Sequence, residues 1–212
     1  VSALGEEGKK RALQVVNSST DTEAYTNMIS VFNNNEQEQL LGTNTNLMSE
    51  EYFNSTAPYL HKLMYFEYKT ILPENYLMKT DKMSMAHALE VRVPFCDHRL
   101  LEFSATIPYE MKIKGLNTKY LLKRAVSKVL PKDIINRKKI GFNAPLGIWF
   151  QGDLSNFIKD ELSEKNLKKT GYFRHDTVKT MIDDHNSKRK DFSLHLWAIL
   201  VFQVWYNSYM KA

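Results

Sequence analysis

The sequence is short of glycine and cysteine, and each shortage excludes a class of site. Its 8 glycines in 212 residues never cluster into a Walker loop or a dinucleotide-binding fingerprint. A single cysteine, Cys96, excludes both an internal disulfide framework and a cysteine-rich zinc site. One unpaired thiol suits a reducing compartment, so we expect the protein to be cytoplasmic.

Recognisable catalytic patterns of histidine and serine are also missing. The 6 histidines show no metalloprotease spacing, and no serine lies in a Gly-x-Ser-x-Gly context. Cys96 is followed by Asp97 and His98, but neighbouring residues at the start of a helix point in different directions and cannot form a local triad. We therefore predict neither a metal site nor a serine or thiol hydrolase.

Long hydrophobic runs are absent as well. The most apolar stretch, Leu194 to Trp205, is shorter than the roughly 20 residues that a membrane span needs. We interpret it as a core helix. The polar stretch from Gly5 to Arg11 has none of the features of a secretory signal, and we expect no membrane association.

The composition is that of an ordinary globular protein with an excess of positive charge. Hydrophobic residues make up 43% of the chain, and the formal net charge is +5. Such a balance suits nucleic acid, an acidic membrane surface or a phosphorylated substrate. Runs such as Lys188-Arg189-Lys190 are usually solvated faces, and no nucleic-acid motif is present. A basic helical nucleic-acid-binding or interaction module therefore stays as an alternative without a supporting motif.

Apolar residues recur at helical spacing, and strictly alternating runs are almost missing, so the predicted fold class is mostly α. Residues 1–50 form a helical lead-in, and residues 51–212 form the main part. N-caps are predicted at Asp97, Asn117, Asp176 and Ser193, with Gly42 as a C-terminal stop. Helices are predicted over residues 7–16, 22–32, 36–41, 59–71, 73–89, 98–105, 118–130, 146–150, 154–163, 177–185 and 193–209.

Two segments differ from the rest of this helical pattern. The first runs from Lys79 to Arg99 and reads K-T-D-K-M-S-M-A-H-A-L-E-V-R-V-P-F-C-D-H-R. Pro94 forces Val93 into an extended conformation, so no helix passes through Glu90 to Phe95, and we expect this extended segment to be buried and to line a site. The second segment, R-K-K-I-G-F-N-A-P, covers residues 137–145 and is a basic loop.

These segments carry a family resemblance. Together with L-P-E-N-Y at residues 72–76 and T-K-Y-L-L-K-R at residues 118–124, they resemble consecutive signatures of the synthetase domain of asparagine synthetases. The resemblance extends from about Tyr52 to the C-terminus. Lys82 stands where the family usually has Arg, and Cys96 where Leu is more usual. The implied fold is the helical C-terminal portion of an α/β ATP-pyrophosphatase (adenine nucleotide alpha hydrolase-like) domain, whose parallel sheet lies mainly upstream.

The resemblance also implies a reaction. ATP would adenylate the side-chain carboxylate of aspartate and release pyrophosphate, and ammonia from a glutaminase domain would then displace AMP. The implied cofactors are ATP and Mg²⁺, with the Mg²⁺ ligands expected upstream. Neither the Ser-Gly-Gly-x-Asp-Ser loop nor the N-terminal glutaminase of the family occurs in these residues. We therefore expect this chain alone to be inactive and to bind ATP weakly or not at all.

Site residues follow from the resemblance in the same way. Lys139, two residues after the arginine of the basic loop, is implied to reach the phosphates and is the predicted catalytic residue. Lys138 and Gly141 lie beside it and are predicted to help bind the nucleotide. Either substrate positioning or a scaffold of paired charges is predicted for the residues around the extended segment, namely Asp81, Lys82, Arg92 and Asp97.

One alternative within the same architecture stays open. It is a related adenylating amidotransferase of the β-lactam-forming or peptide-modifying type, which would use another acid or amine. An apolar surface that normally packs on the missing sheet would also favour self-association, so a homo-oligomer stays open too.

Overall fold

The computed structural model describes residues 12–43, 50–137 and 144–210 of the chain. This part is mainly helical, with one two-stranded hairpin, which confirms the mostly α class. No helix in the described ranges is long and apolar enough to cross a membrane. The α-helices are α1 (Asp21–Ile29), α2 (Asn34–Leu41), α3 (Tyr59–Lys69), α4 (Met78–Met85), α5 (His98–Thr106), α6 (Tyr109–Lys112), α7 (Tyr120–Ala125), α8 (Lys132–Asn136), α9 (Leu146–Gln151), α10 (Ser155–Glu161), α11 (Glu164–Thr170), α12 (His175–Asn186) and α13 (Ser193–Tyr209).

Shorter elements complete the order. Strands β1 (Ile113–Lys114) and β2 (Asn117–Thr118) pair antiparallel. A π-helix covers Leu72–Leu77, and 3₁₀ turns cover Glu50–Tyr52, Pro94–Cys96 and Val126–Lys128.

The chain divides into two compact units. The first unit comprises residues 1–16, 26–48 and 141–212, and the second comprises residues 17–25 and 49–140. Each unit is therefore built from separate stretches of sequence. The division into a lead-in of residues 1–50 and a main part of residues 51–212 stays a prediction.

The first unit has a continuous apolar core. Helix α13 runs along it, and helices α9 to α12 and α2 pack around α13 with side chains that are almost fully enclosed. Burying each large aliphatic or aromatic side chain contributes about 1.5–3 kcal/mol. The core consists of Leu40, Phe150, Ile158, Leu162, Leu167, Val178, Met181, Phe192, Leu196, Ile199 and Leu200.

The second unit buries apolar side chains only in its first part. Tyr25 contacts Phe66 with 5.0 Å between ring centroids and Phe53 with 5.8 Å, and the hydroxyl of Tyr25 donates a hydrogen bond to Glu67. From residue 72 to residue 137 no residue is buried. The helices of this stretch therefore lack an enclosed core of their own.

Helix α2 is bounded by a left-handed glycine at its C-terminal end and by a capping box at its N-terminal end. Gly42 has φ +75°, and its N–H donates to the Glu38 carbonyl at 2.8 Å, so the predicted C-terminal stop is confirmed. At the other end Asn33 and Glu36 form a reciprocal capping box, which starts the helix at Asn34 rather than at the predicted residue 36.

The predicted N-cap at Asn117 is wrong. Asn117 instead pairs with Lys114 in the hairpin, and the next helix begins only at Tyr120. The hairpin forms because Gly115 adopts φ +59° in the two-residue turn that joins the strands. The turn chemistry of glycine thus overrides the capping preference of asparagine.

Two further N-caps are wrong, Asp176 by two positions and Ser193 by one. Helix α12 begins at His175, so Asp176 lies inside its first turn, where its charge still complements the helix dipole. Helix α13 includes Ser193 as its first residue, because the carboxylate of Asp191 accepts the Ser193 N–H at 2.9 Å. Helix α11 was not predicted at all.

Candidate functional site

The segment that carries most of the predicted site begins at a distorted helix. Helix α3 ends at Lys69, two residues before the predicted end at Ile71 and four before Pro73, because proline removes an N–H donor and clashes with the carbonyl four residues earlier. The chain then continues as the π-helix Leu72–Leu77 and passes directly into α4. Single π turns inside helices are rare and often lie at functional sites.

A strained turn follows α4. Ala88 has φ +55°, a left-handed conformation that costs a residue with a Cβ about 1–2 kcal/mol. The N–H of Leu89 donates back to the Ser84 carbonyl at 3.1 Å, which wraps the end of the helix. The chain therefore leaves α4 in a defined direction, towards the extended segment.

The extended segment has the predicted conformation but not the predicted burial. Val93 has φ −109° and ψ 98°, as the following Pro94 requires. All residues from Glu90 to Phe95 are exposed, and Phe95 itself is 64% exposed. The expectation of a buried segment is wrong for the described chain, because none of the surrounding helices covers it.

Asp97 terminates this segment as an N-cap, as predicted. Its Oδ1 accepts the Arg99 N–H at 2.9 Å and the Arg99 Nε at 3.0 Å, and its Oδ2 accepts Nη2 at 2.8 Å. The side-chain and backbone hydrogen bonds from Arg99 lower the pKa of Asp97 to about 2. Asp97 is therefore ionised at neutral pH and orients the first turn of α5.

The other predicted residues of this segment are exposed. Asp81 and Lys82 lie on α4, and within the described ranges neither side chain forms an ion pair. Arg92 pairs with Glu90, and its side chain is 87% exposed. Exposed pairs of this kind contribute at most about 1 kcal/mol. Whether Asp81, Lys82, Arg92 and Asp97 position a substrate or serve as scaffold stays a prediction.

The predicted catalytic loop lies largely outside the described residues. Lys139, Lys138 and Gly141 fall within the gap between residues 137 and 144. Arg137, the first residue of the loop, lies at the C-terminal end of α8, and its N–H donates to the Ile134 carbonyl. The roles of Lys139, Lys138 and Gly141 stay predictions.

Metal binding can be judged only from the described ranges. There, no three His, Cys, Asp or Glu side chains come together in a group that could hold a metal ion. These residues do not fit a Mg²⁺ site, because the ion prefers several oxygen ligands in near-octahedral geometry. We assign none of them to Mg²⁺.

A half-buried charge cluster in the first unit was not predicted. Glu36 accepts hydrogen bonds from Lys190 Nζ at 3.0 Å and from the Asn33 N–H at 3.0 Å, and its Oε2 lies 3.3 Å from His195 Nε2. Burial alone would raise the pKa of Glu36, but the hydrogen bonds from His195, Asn33 and Lys190 outweigh it and lower the pKa to about 2. The sequence spacing Asn33-x-x-Glu36 could have predicted one part of this cluster, the capping box between Asn33 and Glu36.

An open groove of about 550 Å³ lies beside this cluster, between α2 and α12. Its charged side chains carry both signs: Arg174 and Lys190 are cationic, while Asp176 and Asp184 are anionic. Because both signs of charge are present, the lining does not select an anionic or a cationic ligand, and we assign the groove no substrate.

Comparison with known proteins decides the family. The family model described as asparagine synthase matches residues 5–207. The chain belongs to the asparagine synthase family. The resemblance drawn from the sequence signatures is therefore confirmed.

Individual asparagine synthetases extend the match. The chain is 32% identical to the glutamine-hydrolysing asparagine synthetase 1 of Bacillus subtilis over 190 residues, which is 86% of this chain and 30% of that protein. It is 40% identical to synthetase 3 of the same organism over 92 residues, which is 43% of this chain and 15% of the relative. The rat asparagine synthetase is 31% identical over 62% of this chain and 27% of its own length.

The chain thus spans only about 30% of the length of the first of these asparagine synthetases. No solved structure matches it.

The signature segment from Leu72 to Arg99 of this member of the asparagine synthase family lies wholly in the second unit.

Proposed function

We propose that this chain is the C-terminal helical part of the synthetase domain of a glutamine-hydrolysing asparagine synthetase. The family match over residues 5–207 carries the proposal. Relatives with this printed name match the chain over 190 and 92 residues. In this proposal the chain contributes one wall of the active site. The gene product that contains this chain would supply the nucleotide loop and the glutaminase, in the cytoplasm.

The proposed reaction has two steps. A carboxylate oxygen of the aspartate side chain attacks the α-phosphorus of ATP, and the bond to the β-phosphate breaks to release pyrophosphate. Ammonia, released from glutamine, then attacks the activated carbonyl carbon, loses a proton and expels AMP. The products are asparagine, AMP and pyrophosphate.

Within this reaction the chain would supply positive charge. Negative charge builds on the α-phosphate and on the departing pyrophosphate, and fixed cations lower the barrier to that step. Lys139 is the proposed source, with Lys138 beside it and Gly141 allowing the backbone to approach the phosphates. Aspartate and ATP would be held against the segment that contains Asp81, Lys82, Arg92 and Asp97.

The test replaces the lysine in the gene product that contains this chain. We expect Lys139→Ala to abolish aspartate-dependent pyrophosphate release with ammonia as nitrogen source, while glutamine hydrolysis continues. Lys132→Ala, at an exposed lysine on α8, is the control and is expected to leave both rates unchanged. Wild-type pyrophosphate release in the Lys139 variant would remove that residue from its role.

One observation bears on the second candidate, the related adenylating amidotransferase. Two fungal relatives, each covering 64% of this chain at 26% and 27% identity, bear the name amidase. An adenylating amidotransferase with another acid substrate therefore remains the rival. Pyrophosphate release that depends on a different carboxylic acid and not on aspartate would favour it.

A further inference from the structure

The positive charge of the chain is concentrated in one short stretch. Residues 111–132, here called the basic stretch, contain seven Lys or Arg residues and no Asp or Glu. The whole chain has a net charge of +5, so the residues outside the basic stretch carry a net charge of −2. The excess of positive charge is therefore a local property of the second unit, which contains residues 49–140.

Neighbouring side chains do not neutralise these charges. In the part of the chain that the structure describes, every ion pair that involves Lys or Arg lies outside the basic stretch. Lys112 Nζ lies 3.0 Å from His61 Nε2. Lys123 Nζ donates to Asn117 Oδ1 at 2.8 Å. Neither partner is an acid, so these hydrogen bonds hold the two lysines in place without offsetting their charge.

Two further cations of the basic stretch converge on Tyr120, the first residue of α7. Lys114 reaches it from strand β1, and its Nζ lies 5.3 Å from the centroid of the Tyr120 ring. Arg124 follows Tyr120 by four residues on the same face of α7, and its Cζ lies 5.8 Å from that centroid. Both charges are within the roughly 6 Å at which an aromatic ring attracts a cation. A strand and a helix thus direct two positive groups at one tyrosine.

The electrostatics of Tyr120 reflect this convergence. A hydrogen bond from Arg124 and the positive charges of Lys114 and Arg124 lower the pKa of the Tyr120 hydroxyl. Two like charges beside one ring repel each other, and neither forms an ion pair within the described ranges. An anion that accepted hydrogen bonds from all three groups would remove that repulsion.

We propose that Lys114, Tyr120 and Arg124 bind the phosphate group of a small phosphorylated ligand. A phosphate group carries a charge of about −1.5 to −2 at pH 7 and so balances two cations, whereas a carboxylate balances only one. Its oxygens accept hydrogen bonds from the ammonium, the phenol and the guanidinium, and arginine binds phosphate through two parallel hydrogen bonds. This site goes beyond the proposed function, because it involves neither Lys139 nor the acid substrate.

A nucleic acid fits the basic stretch less well. A polyanion is held by cations spaced along its backbone, and a base can stack on an exposed aromatic ring. Here Lys114 and Arg124 meet at one point, and both contact the Tyr120 ring on which a base would stack. The described contacts therefore form a single focus of charge, which suits one phosphate group.

Calorimetric titration of the gene product with inorganic phosphate tests the proposal. We expect Lys114→Gln and Arg124→Gln each to weaken one phosphate site about tenfold or more, because each removes a charge-assisted hydrogen bond. Phosphate sites elsewhere in the gene product remain in every variant. The controls are Lys159→Gln and Lys165→Gln, which each remove one positive charge from an exposed position on α10 or α11.

All four substitutions lie at exposed positions, where a change of side chain alters stability little. Equal urea midpoints for the variants and the wild type verify that each protein is folded. Phosphate affinity that is the same in the wild type, Lys114→Gln and Arg124→Gln would overturn the proposal. That result is expected if a carboxylate outside this chain neutralises the two cations.

The ionisation of Tyr120 supplies a second measurement. The difference in ultraviolet absorbance between the wild type and Tyr120→Phe isolates this phenol during an alkaline titration. Bound phosphate offsets the two cations, so we expect it to raise the titration midpoint by about one pH unit relative to chloride at the same ionic strength. The rise is expected to disappear in Arg124→Gln. A midpoint that is equal in phosphate and chloride would contradict phosphate binding at this tyrosine.

Further titrations identify the source of the phosphate group. Pyrophosphate, AMP and inorganic phosphate are compared, and the ligand that binds most tightly and loses affinity in Lys114→Gln identifies the class of phosphorylated molecule. Single-stranded RNA is the competing probe. RNA binding that falls steeply with salt and is lost in the same variant, without any binding of inorganic phosphate, would overturn the proposal and assign the basic stretch to nucleic acid.

Discussion

The guanidinium of Arg174 lies directly against the backbone of Gly42. A Cβ at Gly42 would be 2.8 Å from Nη2 of Arg174. The Arg174 N–H also donates to the Leu40 carbonyl at 2.9 Å. The start of α12 thus supplies both a donor and a positive charge to the C-terminal end of α2, where the helix dipole is negative.

Gly42→Ala is expected to destabilise the first unit. The left-handed backbone costs an alanine about 1–2 kcal/mol, and the flexible end of Arg174 must also move. Gly171→Ala is the matched control, because Gly171 also has a left-handed backbone, with φ +73°, but a Cβ added there would contact nothing within 4 Å. Urea unfolding of the gene product measures both. A smaller loss for Gly42→Ala than for Gly171→Ala would show that displacing Arg174 costs nothing.

Glu36 is expected to make the first unit sensitive to acid. Its folded pKa of about 2 lies below its ordinary value of 4.5, so its charge stabilises the fold above about pH 4.5. That contribution is lost as the pH falls from about 4.5 to about 2. It amounts to about 1–2 kcal/mol after a discount for solvent screening.

The measurement compares Glu36→Gln with the wild type by urea unfolding at several pH values. We expect the difference in unfolding free energy to be largest at neutral pH and to vanish near pH 2. Glu38→Gln, on the exposed side of the same helix, is the control. A difference that stays constant from pH 7 to pH 2 would contradict the role of the Glu36 charge.

Gln203 is expected to tolerate loss of its amide better than gain of a charge. The residue is fully buried, donates to the Asn166 carbonyl and lies 3.3 Å from the Thr170 hydroxyl. Gln203→Met removes one buried hydrogen bond and is expected to cost about 1 kcal/mol. Gln203→Glu buries a carboxylate beside a carbonyl and is expected to cost about 3 kcal/mol or more. Equal unfolding midpoints would contradict this ranking.

Asp97 provides a test between substrate positioning and scaffold. Asn keeps a side-chain oxygen that can cap α5, whereas Ala does not. If Asp97 acts as scaffold, Asp97→Asn retains asparagine synthesis, and Asp97→Ala speeds amide hydrogen exchange in the first turn of α5. Loss of synthesis in the Asn variant with normal exchange would instead indicate contact with substrate.

Local signals that act alone were predictable from the sequence. Gly42 and Asp97 end and begin helices as predicted, because left-handed backbone and side-chain capping depend only on neighbouring residues. Asn117 and Ser193 do not cap helices as predicted, because Gly115 and Asp191 compete locally for the same stretch of backbone.

Burial was the least predictable property of the candidate site. The extended conformation of Val93 follows from Pro94, but the exposure of Phe95 depends on what packs against it. The same holds for α13. Its apolar composition predicts burial on all sides, but the described chain buries only one side of the helix. The cluster of Glu36, Lys190 and His195 joins residues more than 150 positions apart, which no local pattern indicates.

Within that separation lies the larger stretch of the second unit, residues 49–140, which is inserted between α2 and the last part of the first unit. Helix α2 is held by the Lys190–Glu36 and Thr177–Gln39 contacts, which span 154 and 138 residues. Closing a flexible loop of roughly 100 residues costs about 4 kcal/mol in chain entropy before such contacts can form. A single protease cut between residues 72 and 137 would leave α2 attached to α12 and α13 by non-covalent contacts alone. The first unit would then persist as a two-chain complex, with the cut ends free to separate.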